Sequence, residues 1–311
     1  MCPLLLVTPA FYVAFSLFIL ISLEDSLFLC AEIEDRRMIQ QNQQATKRFI
    51  APGGWFSMSY PQAWSEFEDG EGSFLFYNPE VWNGNFRISA FRGNSAYAEA
   101  NRQNELRQQP GAKLVTVGPW RCAYSQEEFQ EEEHDYTTHW WVTGEGDLAI
   151  ECSFTVLRGE SIAPAQEVLA SVEIRDLQKK YPAEVIPVRL SEIWQIDEAY
   201  AFIEHEVKNR FSLDFQGLEE DLPNLQRLID EAGWSKKKRD PWIALGIALC
   251  VILTNELDGY EWRTLVDGNR EAPLLVHPES GVEIDPLKLV WSKVKAGQSV
   301  DMEQTLNSLT C

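Results

Sequence analysis

The sequence predicts an α+β protein of two domains. The first is a mostly antiparallel sheet with helices packed on it; the second is helical with a small antiparallel sheet. Three observations carry this. Short, aromatic, β-patterned runs separated by Gly, Pro and Asn fill residues 49–91. Helical periodicity takes over after Pro187. A chain of 311 residues with 45% hydrophobic content suits two cores better than one.

The N-terminal stretch is set apart from both domains. Residues 3–22 are nearly all apolar, with Thr8 and Ser16 as weak exceptions, which is about the length that spans a bilayer. No Lys or Arg precedes Arg36, unlike the basic start of a secretory signal. Three readings of residues 1–37 stand. The true start is Met38, which opens a Gln-rich polar lead-in; or the segment is a membrane anchor; or it is a cleaved signal. For an anchor, Arg36, Arg37, Lys47 and Arg48 hold the body on the cytoplasmic side. A cytoplasmic location, with or without the anchor, is the expectation.

The first domain is expected over 45–182. Residues 49–64, 74–79 and 85–91 read as strands. A helix over 97–109 has Asn94 or Ser95 as its cap and is stopped by Pro110-Gly111. Residues 113–117 and 120–124 read as a strand broken at Gly118-Pro119. A long hairpin follows over 135–157, turning at Gly144-Glu145-Gly146-Asp147. In it Thr138, Trp140 and Val142 alternate with Thr137, His139 and Trp141, so both faces are partly covered. A last helix begins near Ala163-Pro164, and Ile162, Ala165, Val168, Leu169 and Val172 lay it on the sheet. The strand ending Tyr60-Pro61-x-x-Trp64, the aromatic strand after it and the strand-to-helix step resemble the Mog1/PsbP-like fold. More narrowly, they resemble the domain of unknown function family 3805. The resemblance implies a fold whose members act mostly by binding other proteins. No catalytic set travels with the motif.

The second domain is expected over 186–311. Ile193, Ile196, Tyr200, Ile203, Val207 and Phe211 recur on one helical face. Leu222, Leu225, Leu228 and Ile229 mark a second helix, closed by Gly233. A third starts at Asp240-Pro241 and is apolar all round from Trp242 to Leu253, too short to span a membrane and therefore a buried central helix. Strands at 261–266 and 273–277 flank the turn Asp267-Gly268-Asn269-Arg270, a short strand follows at 282–284, and Pro286 opens closing helices. The central helix with Trp262, Asp267-Gly268, Pro278, Gly281, Ile284 and Pro286 resembles the domain of unknown function family 3806, which implies no chemistry.

Net charge is −21 and the pI is 4.6. Such a field repels nucleic acid and anionic membranes, so no nucleic-acid partner is expected, and a membrane only if residues 1–37 are present and retained. It favours a basic or neutral partner, or serves solubility alone. The acidic run 126–135 holds six carboxylates and no basic residue. It reads as a docking arm for a basic partner or as a solvated loop. Six scattered cysteines show neither Cys-x-x-Cys nor zinc spacing, and Cys122 and Cys152, on separate strands, read as buried thiols. Eleven tryptophans predict core sites where each buried indole N–H finds a partner.

The candidates for chemistry are histidines. His134 and His139 flank a strand start, but five residues apart they fall on opposite faces. His277-Pro278-Glu279 with Asp285 forms a polar group on a hairpin, His205 sits between two glutamates, and Lys236-Lys237-Lys238-Arg239 is the one basic cluster. No dinucleotide, phosphate-loop, nucleophile-elbow or zinc-protease motif is present. No metal or cofactor is expected. The reading is a non-enzymatic protein-interaction module whose unidentified partner docks on the sheet face of the first domain, near Trp55, Trp64, Trp82 and Trp141. Two alternatives remain: an enzyme with His134, His139 or His277 as base, and an antitoxin or immunity-type inhibitor of a basic partner.

Overall fold

A computed structural model of the chain describes residues 45–68, 72–268 and 270–309. The apolar run at 3–22 and its three readings lie outside the described residues. Among the described residues no helix is long and apolar enough to cross a membrane.

The chain runs β1 (Thr46–Ile50), β2 (Phe56–Pro61), β3 (Ser65–Glu68), β4 (Ser73–Tyr77), β5 (Asn85–Arg92), α1 (Tyr97–Gln108) and β6 (Lys113–Val117). Next come β7 (Trp120–Glu131), β8 (His134–Glu145), β9 (Leu148–Leu157), α2 (Ala163–Ala170) and β10 (Glu173–Ile174). A seven-stranded sheet has the order β3-β4-β5-β9-β8-β7-β6, every neighbour antiparallel. A second sheet has the order β1-β2-β10. The core between them is aromatic: Phe49 meets Phe74 at 4.9 Å and Phe76 at 5.2 Å, and Trp64 stacks on Phe154 at 6.3 Å. The helix expected near Ala163 is α2, and Ala165, Val168, Leu169 and Val172 are buried as its spacing predicts.

Two local expectations need correction. The acidic run 126–135 is not a loop: β7 continues through it to Glu131, and β8 begins at His134. Its carboxylates stand on a paired β-ribbon, held partly by Arg158, which bridges Glu128 and Asp135 at 3.3 and 3.4 Å. Asn94 does not cap α1 directly; its side chain accepts from the N–H of Ala96, the residue just before the helix, at 3.1 Å. Gly144 explains how α1 lies so close. Its φ is +127°, and a Cβ there would meet the Leu148 carbonyl oxygen at 2.1 Å and the Ala98 methyl of α1 at 3.1 Å.

The remainder comprises β11 (Glu184–Pro187), α3 (Leu190–Phe211), α4 (Leu222–Glu231), α5 (Asp240–Glu256), β12 (Glu261–Asp267) and β13 (Arg270–His277). It closes with β14 (Val282–Ile284), α6 (Pro286–Leu289), α7 (Trp291–Lys295) and α8 (Met302–Asn307). The sheet order is β11-β12-β13-β14. The expected central helix is α5, buried at nearly every position from Trp242 to Leu253. Gly246, costly in a helix interior, is there because α6 crosses at that point: a Cβ would sit 2.2 Å from the Pro286 carbonyl oxygen.

Apart from residues 45–46 and 61–63, the described residues belong to one compact unit. Buried polar groups join its halves. Arg189, 1% exposed, gives Nε and Nη2 to the two Glu192 oxygens at 2.8 Å each, Nη2 to Glu271 at 2.9 Å, and Nη1 to the Ile50 carbonyl at 2.9 Å. Thr264 Oγ1 donates to Glu192 at 2.8 Å, and the Gly53 N–H donates to Glu271 at 2.9 Å. Ile50, Ile186 and Val266 form an apolar cluster beside them.

Candidate binding face

The seven-stranded sheet has one face in the aromatic core and one turned outward. Strand alternation sorts side chains between them one residue at a time. On β8, Trp141 lies between Tyr124 and Cys152 across the strands and is 1% exposed within the core. Its neighbour Trp140 lies between Ser125 and Ser153 on the outer face and is 42% exposed. The two serines are too short to cover an indole, so the ring stays open. On the same face, two pleats back along β8, Tyr136 stacks with Phe129 at 5.5 Å and takes Trp82 edge-on at 5.7 Å. Trp82 is 43% exposed, and Val81 beside it is exposed as well. Phe67 and Tyr77 stack at 4.2 Å toward the β3 edge.

Helix α1 covers one end of this face and leaves a cleft of about 540 Å³ against β7, β8 and β9. Three glutamates line it: Glu105 from α1, Glu127 from β7 and Glu151 from β9. Ser125 Oγ donates to Glu105 at 2.8 Å. Among the described residues no cation pairs with the Glu151 carboxylate. Burial raises the Glu151 carboxyl above its ordinary value, and the Glu105 charge adds to the shift. A carboxyl raised in the folded state weighs against folding once it ionises. The cost is absent below the ordinary glutamate value of 4.5, where folded and unfolded chains are both protonated, and sets in as pH rises through the higher folded value. Glu151→Gln is therefore expected to raise stability at pH 7 and to leave it unchanged below about pH 4. Urea melts of both proteins at the two pH values check this; identical midpoints at pH 7 would show that the carboxylate carries no strain.

Of the four tryptophans expected at a docking face, Trp82 alone is exposed, at 43%. Trp55 is half-buried beneath the Arg92 guanidinium, 5.2 Å from its ring. Trp64 and Trp141 are corrections: at 2% and 1% exposure they belong to the core and offer no surface. Trp140 was missed, although the alternation that separates it from Trp141 is legible in sequence. What sequence does not say is which face the second sheet and α2 cover.

The histidines stand apart from one another. His134 is exposed at the β-ribbon turn, while His139 is buried on the core face, with Nδ1 2.7 Å from the Tyr124 hydroxyl and its ring against Trp141. Burial lowers the His139 pKa. His277 bonds Ser280 at 3.0 Å, whereas Asp285 pairs with Arg270 and Lys288. His205 bonds Asn209 on an exposed helix turn. Cys122 and Cys152 are free and buried, on β7 and β9 with β8 between them. Trp120 and Trp242 donate their buried indole N–H to the Val172 and Ser235 carbonyls, but the Trp141 N–H has no partner among the described residues.

Fold and face together define an α+β protein: an aromatic two-sheet first half with an outer sheet surface flanked by acid, and a helical second half with a small antiparallel sheet. Comparison places it further. The domain of unknown function DUF3805 matches residues 44–197, and the domain of unknown function DUF3806 matches residues 221–305. A crystal structure of a protein from Bacteroides thetaiotaomicron VPI-5482 is 56% identical over 85% of this chain and 98% of that one, with a TM-score of 0.82. The chain belongs to the family that carries DUF3805 followed by DUF3806. LpqN of Mycobacterium tuberculosis, involved in cell envelope biogenesis, aligns with 13% identity over 39% of this chain and 83% of its own. Its TM-score of 0.27 is too low to carry an argument. No curated protein matches the chain.

Proposed function

We propose that this chain is a protein-interaction module that docks a basic partner on the outer face of its seven-stranded sheet. The observation that carries the reading is the exposed pair Trp140 and Trp82 on that face, with Glu105, Glu127 and Glu151 beside the first. Exposed aromatics next to uncompensated acid suit a partner that brings apolar and cationic groups together. The net charge of −21 extends the same preference by drawing basic surfaces in and speeding their encounter. The Mog1/PsbP-like resemblance of the first half points the same way.

The test is capture from the native host on immobilised full chain, then titration of the purified partner against wild type and a Trp140→Ala/Trp82→Ala double variant. Loss of two exposed anchor residues is expected to weaken binding about a hundredfold or more, since such anchors are worth on the order of 2 kcal/mol each. Affinity is expected to fall as salt rises. A partner that binds the double variant as tightly as wild type, or no saturable partner at all, would overturn the reading.

A further inference from the structure

The cleft beneath α1 has the chemistry of a receptor for one particular group. Its lining includes three glutamates and neither lysine nor arginine. Glu105 and Glu151 approach it from opposite walls, one on the helix and one on the sheet. No described cation pairs with either carboxylate; Glu105 accepts only from the Ser125 hydroxyl, at 2.8 Å. Trp140 forms a further wall with its exposed ring, and the amides of Asn101 and Asn104 line the helix side. Carboxylates on two sides and an aromatic face on a third form a site for an organic cation: the carboxylates accept its N–H groups and the indole face attracts its charge. A bare divalent ion suits it less well. The cleft is far larger than an ion, and among the described residues no three His, Cys, Asp or Glu converge at metal-binding range.

Resting on the docking reading above, we propose that this cleft is a socket for a single arginine or lysine side chain of the partner, with Glu151 and Glu105 holding its charge and Trp140 covering its stem. Arginine is preferred. Its planar guanidinium stacks on the indole and presents several N–H donors at fixed angles, which suits two carboxylates on different elements better than a point charge does.

The experiment uses the full chain, labelled with nitrogen-15, and two probes: N-acetyl-arginine methylamide and its uncharged near-isostere N-acetyl-citrulline methylamide. Saturable shifts are expected with the arginine probe at the Trp140 indole N–H and the Glu151 and Glu105 amides, and none with citrulline. Glu151→Gln, which the geometry expects to fold at least as well as wild type, is expected to weaken the arginine probe about tenfold, as loss of one charge-assisted contact does. Glu105→Gln gives an independent second reading of the same loss. Equal shifts from both probes, an arginine affinity unchanged in both variants, or calcium alone producing the same shifts would each overturn the socket. The socket and the docking face fail separately. If the arginine probe does not bind while Trp140→Ala/Trp82→Ala still abolishes partner capture, the socket is wrong and the face stands. If the probe binds as expected and no partner is ever captured, the socket stands and the docking reading is wrong.

Discussion

Replacing Arg189 by Met is expected to destabilise the protein by about 3–5 kcal/mol, the cost of removing one partner from a buried charged group. Arg189 is 1% exposed and is the donor around which Glu192, Glu271 and the Ile50 carbonyl are arranged. Without it, Glu192 keeps one hydrogen bond, from Thr264, and remains a carboxylate in the interior. The network joins β1 and the start of α3 to β12 and β13, so the loss is felt in both family segments at once. Urea unfolding followed by tryptophan fluorescence and by far-UV circular dichroism is expected to stay a single transition with a lowered midpoint. A further change, Glu192→Leu on the Arg189→Met background, is expected to recover part of the loss, because an apolar pair has no charge to strand. A loss under about 1 kcal/mol, or two separate transitions in the wild type, would contradict this account.

The second large effect separates two adjacent tryptophans. Trp141→Ala is expected to cost about 3–5 kcal/mol, since it empties a large volume in the core beside Tyr124, His139 and Cys152. Trp140→Ala is expected to change stability by no more than about 0.5 kcal/mol, as an exposed surface change does. Under the proposed docking reading, its effect is expected on binding instead. Trp141→Phe is expected to cost less than Trp141→Ala, because it keeps most of the ring and removes an indole N–H that has no partner. Chemical denaturation of the three variants ranks them. Equal losses at 140 and 141 would mean that the assignment of the two sheet faces is wrong.

Much of the fold was legible in sequence because it rests on local patterns. The all-round apolar run from Trp242 to Leu253 announced a buried helix, and the spacing of Ala165, Val168 and Leu169 announced α2. Gly-containing turns marked the hairpin after β8 and those on either side of β13. Other parts were hidden because their stability comes from distant pairing. β10 and β11 are two and four residues long, without a pattern of their own, and exist because β2 and β12 lie beside them. The acidic half of β7 reads as loop by composition, yet β8 holds it in register from Gln126 to Glu131. Arg189 and Glu271 are ordinary surface types by residue, and their burial depends on contacts 82 positions apart in the chain.

The candidate site followed the same division. Alternation along β8 separates Trp140 from Trp141 in the sequence alone, because successive strand side chains must point to opposite faces. Which of the two reaches solvent was decided by the β1-β2-β10 sheet and α2, which closed over one side only. Likewise the sequence holds Glu105 and Glu151 as two unremarkable acids 46 residues apart. Packing of α1 on β8 and β9 set them across one cleft, where burial and the Glu105 charge raise the cost of charging Glu151. Local pattern determines which faces an element has, because it depends on backbone geometry; tertiary packing decides what each face meets, because that depends on every other element at once.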